Sequence, residues 1–215
     1  MSTDKVKSDP LLTPDNHALL PIDHQYLQLM SVASHNQALV LSSATGLAKS
    51  AKVFNVPTLL TTAFAERQAL MKEIQAVFPD QKPIDRTGLN MWDDKRCVEW
   101  VEKTGKKKLV IAGLWTSVCL CFPVLSALKA GYEVYIVPDA SGDGNFETHS
   151  MAVERMVQAG ATPISMMSYL CELQRDWARE ATVPEVLKVI EQHGGALGMA
   201  FRWEWELLGL KEGTR

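Results

Sequence analysis

Cysteine is scarce and poorly spaced for cross-linking or metal binding. The four in this 215-residue chain, Cys97, Cys119, Cys121 and Cys171, form no CxxC pair and no cluster with histidine. That excludes zinc ribbons and dithiol redox centres, and free thiols in a reducing compartment are expected. Long hydrophobic runs are missing too. No stretch is apolar over the ~20 residues that a bilayer crossing requires, so no membrane partner is expected. The opening Met1-Ser-Thr-Asp-Lys5 has no apolar h-region, which makes cytoplasmic the expected location. Positive charge is not in excess: a net charge of −3 argues against nucleic acid as a partner. The one dense basic run, Lys106-Lys107-Lys108, reads as a solvated loop ahead of a strand. There is no internal repeat and no low-complexity tract.

What is present suits one substantial α/β domain. Apolar residues make up 47 % of the chain and charged residues 22 %, an ordinary balance for a protein that buries a core. Residues 1–15, polar and carrying Pro10 and Pro14, read as a flexible lead-in. Residues 16–193 read as the domain. Residues 194–215 form a tail in which Phe201, Trp203, Trp205 and Leu207 crowd together behind Gly194-Gly195. Aromatics that dense dock either on their own domain or on a second subunit.

Within the domain, strand-like and helix-like segments alternate. Strands are predicted at 17–22, 57–61, 109–112, 133–137 and 162–164. Helices are predicted at 36–54, 66–78, 93–103, 119–130, 147–159, 165–180 and 184–192. The run at 109–112 is continuously apolar, as in a strand covered on both faces. The pattern predicts a three-layer α/β/α fold, with a mainly parallel, Rossmann-like sheet and helices on both faces.

The stretch Leu109-Val-Ile-Ala-Gly-Leu-Trp-Thr-Ser-Val-Cys119 is the most informative. An apolar run ends in glycine, a turn of small residues follows, and a cysteine sits where a helix begins. This offers a thiol beside free N–H groups and the positive end of a helix dipole, which favour thiolate. The alternative is a cysteine that merely packs. Pro123 has no amide to give the Cys119 carbonyl, so the helix starts near Cys119 or has an irregular first turn. Ligands of open parallel sheets bind beyond the carboxyl ends of the strands, and Asp23, ending the first strand, belongs to the same rim. Taken alone, an aspartate there serves equally as a cap for the next helix or as a base.

Gly113-Leu-Trp-Thr116-Ser-Val-Cys119 and Asp23-His24-Gln25 resemble the cysteine and Asp-x-Gln motifs of the isochorismatase-like (cysteine hydrolase) superfamily, above all its YcaC-like branch. The resemblance runs from about His17 to Trp177 and includes Asp139-Ala-Ser-Gly142, Met156-Val-Gln-Ala-Gly160 and Cys171-Glu-Leu-Gln-Arg-Asp-Trp177. It implies the isochorismatase-like hydrolase fold and hydrolysis of a small amide or related C–N bond through an acyl-enzyme on Cys119, with Asp23 as general base. The family places a lysine six residues before an aromatic; here Arg86 holds that spacing ahead of Trp92. A guanidinium stays protonated, so Arg86 supplies fixed charge and not a proton. Lys82 matches no motif.

The resemblance further implies a cis peptide at Leu114–Trp115 and an oxyanion hole built from the Trp115 and Cys119 amides. Trp92, Trp115, Phe122 and Phe146 are assigned to the substrate pocket, although such aromatics also serve as plain core. His149 is read as a helix-start or pocket-lining residue and Cys121 as packing. His24 lacks the neighbouring ligands of the metal site in related nicotinamidases, so neither metal nor organic cofactor is expected. The alternatives are an isochorismatase-type enol-ether hydrolase and a non-catalytic, oligomeric ligand-binding relative. A homo-oligomer is the expected assembly.

Overall fold

The computed structural model describes residues 9–210. Among them, six strands form one parallel sheet: β1 (His17–Ile22), β2 (Thr61–Ala63), β3 (Ile84–Arg86), β4 (Lys108–Gly113), β5 (Glu133–Ile136) and β6 (Thr162–Pro163). Their order is β3-β2-β1-β4-β5-β6. The chain therefore winds outward in one direction through β2 and β3, then crosses back to β4 and winds the other way. The reversal lies between β1 and β4, which pair in register from His17↔Lys108 to Ile22↔Gly113. Such a switch point opens a crevice at the strands' carboxyl ends.

Side-chain alternation along the central strands feeds two cores. Leu19, Val110 and Ala112 face one side and pack with α2 (Gln37–Val53), α3 (Lys72–Gln75) and α7 (Met166–Gln174). Ala18, Leu20, Ile22, Leu109 and Ile111 face the other, against α4 (Lys95–Thr104), α5 (Cys121–Lys129) and α6 (Phe146–Gln158). The short α1 (Tyr26–Met30) follows β1, and α8 (Val183–His193) and α9 (Ala196–Leu208) close the described chain. Several helix starts follow from sequence. Asn36, Asp94, Asn145 and Ser165 each accept a backbone N–H at the head of α2, α4, α6 and α7, the usual N-cap chemistry. Gly105 ends α4 in the left-handed conformation, φ 66°, which glycine adopts without steric cost. The two central strands also approach closely at their ends: a Cβ on Gly113 would lie 3.2 Å from the Ile22 carbonyl oxygen.

The structure departs from the sequence reading where pairing or loop contacts decide. The predicted strand at 57–61 is split. Leu19 exchanges hydrogen bonds with Pro57 and Leu59, and continuous pairing resumes only at Thr61. Opposite the gap stands Pro21, which has no N–H to offer β2. The helix predicted at 66–78 shrinks to Lys72–Gln75, because the Gln25 side chain and the His24 carbonyl engage the backbone at Ala63, Gln68 and Met71. β3 was not anticipated; three residues are too few to show a period. α7 stops at Gln174 because Arg175 turns to φ 60°, short of the predicted end at 180. The lead-in lies partly outside the described residues, but from Asp9 onward it is anchored. Leu12 is fully buried, its N–H donates to Glu172 at 2.7 Å, and Asp9 pairs with Arg175 at 3.1 Å. The described tail is helical, and α9 docks on its own domain through Trp205, against Val183 and Leu187.

His17 holds the start of β1. Its Nδ1 donates to the Thr13 carbonyl at 2.7 Å, so Nε2 accepts from the Tyr169 hydroxyl at 2.9 Å. Burial pushes its pKa down to about 4, and that of His149 and His193 likewise, from an ordinary 6.5. Below pH 6.5 the unfolded chain then binds more protons than the folded one, and stability is lost as pH falls through about 4. Denaturant titrations over this window should show a falling midpoint, and His17→Gln should flatten the slope. A flat wild-type profile would contradict neutral, buried imidazoles.

Candidate active site

Three of the residues singled out from sequence meet at the carboxyl rim beside the switch point. Asp23 is the first residue after β1 and is fully buried, with φ 55°. Left-handed backbone is uncommon outside glycine, though aspartate tolerates it better than most. Arg86 ends β3, and its Nη2 donates to Asp23 Oδ2 at 2.7 Å, with both side chains almost wholly excluded from solvent. Arg86 Nη1 is held by the Gly88 carbonyl at 2.6 Å, and Thr61 Oγ1 donates to Asp23 Oδ1 at 3.3 Å. The carboxylate is thus fixed by groups from the ends of β2 and β3.

Cys119 arrives from β4. The peptide Leu114–Trp115 is cis. A π-type turn over Thr116–Leu120 then delivers Cys119 ahead of α5. Of the two starts that Pro123 allows, the irregular first turn is the one found: the Leu120 N–H reaches back five residues, to the Trp115 carbonyl at 3.2 Å. Cys119 is 6 % exposed, and the Asp23 carboxylate and the Trp115 amide are its polar neighbours.

Here the electrostatics differ from the sequence expectation of a thiolate. Burial first, then the charge of Asp23 and its hydrogen bond to the thiol, push Cys119 up to about 12. The Trp115 amide and the Arg86 charge pull the other way and lose. Removing water from an anion beside a carboxylate costs more than one amide and a committed guanidinium return. The resting group is a neutral thiol beside Asp23.

Loops that the sequence reading did not single out hold the cysteine turn. Asp143 Oδ2 accepts the Ser117 N–H at 2.8 Å, the Gly142 carbonyl accepts the Thr116 N–H at 3.0 Å, and Thr116 Oγ1 meets His149 Nδ1 at 2.9 Å. Asp143 directly follows the noted Asp139-Ala-Ser-Gly142 segment, the one signal pointing to it. His149 is buried behind the turn. Trp115 stands at the rim, 37 % exposed, its Nε1 donating to Ser31 Oγ at 2.7 Å. Phe122 is half-buried on α5, and Phe146 is 67 % exposed at the head of α6. Trp92 departs from the expected pocket: it packs edge-on against Tyr132, ring centroids 5.5 Å apart, at the amino end of β5. Lys82 is not among the partners of Asp23 or Cys119. Gln25 braces the loop after β2, and His24 turns inward to the Ala140 carbonyl at 2.9 Å. Cys121 is buried in the core around α5.

A doubly wound sheet with strand order 3-2-1-4-5-6 and a carboxylate and a thiol at its switch point fits the isochorismatase-like hydrolase class, with Arg86 in place of the expected lysine. Residues 17–168 match the isochorismatase domain, and the chain belongs to that family. It is 41 % identical over 172 residues to the probable hydrolase YcaC of Escherichia coli (strain K12), covering 79 % of this chain and 83 % of that protein. The structure of the E. coli YcaC gene product, an octameric hydrolase of unknown specificity, superposes with a TM-score of 0.86 at 36 % identity, covering 94 % and 99 % of the two chains. YcaC from Pseudomonas aeruginosa, solved with hexane-2,5-diol and covalent acrylamide, gives 0.85 at 36 % identity, covering 91 % and 97 %.

Two outcomes test the site's electrostatics. Arg86→Ala strands a buried carboxylate and should lower the unfolding free energy by about 3–5 kcal/mol; Arg86→Lys, which keeps charge but loses the planar fork, should cost less. In ultraviolet thiolate titrations, wild type minus Cys119→Ala should show no ionisation at neutral pH. A thiolate signal there would contradict the neutral resting thiol.

Proposed function

We propose that the protein is a cysteine hydrolase acting on a small amide or a related C–N bond. The observation that carries this reading is a buried thiol beside a buried carboxylate that is itself ion-paired to Arg86. As the Cys119 sulfur attacks the substrate carbonyl, its proton passes to Asp23. The tetrahedral oxyanion is received by the Trp115 and Cys119 amides, with the fixed charge of Arg86 nearby. The intermediate collapses, the C–N bond breaks, and the leaving nitrogen takes the proton back from Asp23. Water then adds to the thioester and gives a proton to Asp23. Expulsion of the thiol releases the carboxylic acid and restores the resting state.

Asp23 suits this shuttle because its buried carboxylate lies beside the thiol. A thiol pushed up to about 12 reacts only when a base removes its proton in the same step. Trp115, Phe122 and Phe146 remain candidates for the wall against which the acyl group rests. The covalent acrylamide in the P. aeruginosa relative supports a nucleophile in this fold, since acrylamide captures reactive nucleophiles. The octameric state of the E. coli relative supports a homo-oligomer for this chain also.

A screen of small neutral amides with ammonia release as readout tests the reading. Cys119→Ala should abolish turnover with the fold intact, and Asp23→Asn should reduce it about 100-fold or more, the scale of a positioned general base. Near wild-type amide turnover in Cys119→Ala would exclude the acyl-enzyme on that residue. No turnover of any amide, with Cys119 no more readily alkylated than Cys171, would favour a non-catalytic relative.

A further inference from the structure

α9 is apolar on two opposite faces. One face is accounted for: Phe201 and Trp205 pack on Val183 and Leu187 of α8, and Trp205 is only 4 % exposed. The other carries Met199, Trp203 and Leu207, spaced i, i+4 and i+8 along one stripe, and these are 73, 67 and 71 % exposed. At 100° per residue, Glu204 and Glu206 fall on either side of that stripe. Arg202 is turned back to pair with Glu191 of α8, so the surroundings of the stripe are acidic. A helix that is apolar nearly all round is ordinarily buried on all sides.

The same chain offers a matching surface. A groove of about 710 Å³ runs between α2, α3 and α8, and it includes none of Asp23, Arg86 or Cys119. Its apolar lining includes Leu41, Val53, Ala76, Val77 and Val189, and Lys49, Lys52 and Lys188 stand along it. Two glutamates also reach it: Glu185 and Lys188 pair with each other at 2.8 Å, and Glu73 accepts from the Tyr26 hydroxyl at 2.6 Å. The groove is therefore apolar within, and Lys49 and Lys52 are the lysines along it that form no ion pair among the described residues. α2 alone, at 1.5 Å per residue, extends it for about 25 Å, against about 12 Å from Met199 to Leu207 on α9.

We infer that the groove receives α9 of a second copy of this chain, with Met199, Trp203 and Leu207 inserted between α2, α3 and α8 and the flanking Glu204 and Glu206 set against the lysines. The contact is the helix-in-groove mode, read by anchors one helical turn apart. A second copy is the occupant because ridge and groove, opposite in charge, lie on one chain. Each subunit thus both gives and receives, the requirement for an assembly built from identical copies. This surface is separate from the candidate active site and holds whatever the chemistry there proves to be.

The test uses the full chain, with mass in solution followed by sedimentation velocity over a concentration series. Trp203→Asp, Glu204→Lys/Glu206→Lys and Lys52→Glu/Lys188→Glu should each weaken association at least tenfold and yield smaller species. Combining the two charge reversals should restore much of the wild-type assembly. A Trp203→Cys/Leu41→Cys chain should form a disulfide between subunits under mild oxidation. A wild-type chain that stays monomeric overturns the inference. So do charge reversals that leave the mass unchanged, and these lie on the surface and decide the matter even if Trp203→Asp misfolds. Loss of assembly in both reversals without recovery in the combination also overturns it.

Discussion

The ion pair between Asp23 and Arg86 is the constraint on which the rim of this protein depends. Both groups are stripped of water, at a cost of several kcal/mol for each ion, and only close contact with good hydrogen bonding returns it. The structure supplies that contact at 2.7 Å and braces it with Thr61 and the Gly88 carbonyl. Because Asp23 ends β1, Thr61 begins β2 and Arg86 ends β3, the pair also locks three strand ends together. The left-handed backbone at Asp23 is tolerable in that setting, since the surrounding bonds over-determine it.

Placing a thiol against this pair has a definite chemical consequence. A cysteine at a helix start in water leans towards thiolate; one buried beside a carboxylate does not. The guanidinium that could reverse the balance is already spent on Asp23. Charge at the site is thus stored on the carboxylate–guanidinium pair and not on sulfur. Any nucleophilic step at sulfur has to remove its proton. The same arrangement protects the thiol, because a neutral, 6 % exposed sulfur is a poor target for adventitious oxidation.

Around this centre the loops divide the labour. Post-β4 residues provide the cysteine, and post-β5 residues hold its turn through Gly142 and Asp143. The loop after α1 anchors Trp115 through Ser31. The helices farthest along the chain, α8 and α9, touch none of it. They extend the layer that covers one face of the sheet, through Leu170, Val186 and Ile190, and leave an apolar helix face outward. The candidate site and the exposed apolar face of α9 are therefore carried by different parts of one domain.

Local periodicity and motif spacing determined much from the sequence alone. The alternation of strands and helices, the full extent of β1 and the limit that Pro123 sets on the helix start rest on residues close together in the chain, whereas Asp23, Arg86 and Cys119 were singled out by their resemblance to family motifs. What the tertiary structure decided are matters of distant neighbours. Pro21 interrupts β2 because it faces that strand. Gln25 dissolves a predicted helix by binding its peptide groups, and Trp92 faces Tyr132 and not the rim. The sharpest case is the thiol itself. Its position at a helix start was legible from Gly113 to Pro123. Its protonation was not, because that is set by burial and by the charge of Asp23, which only the pairing of β1 with β4 brings to it.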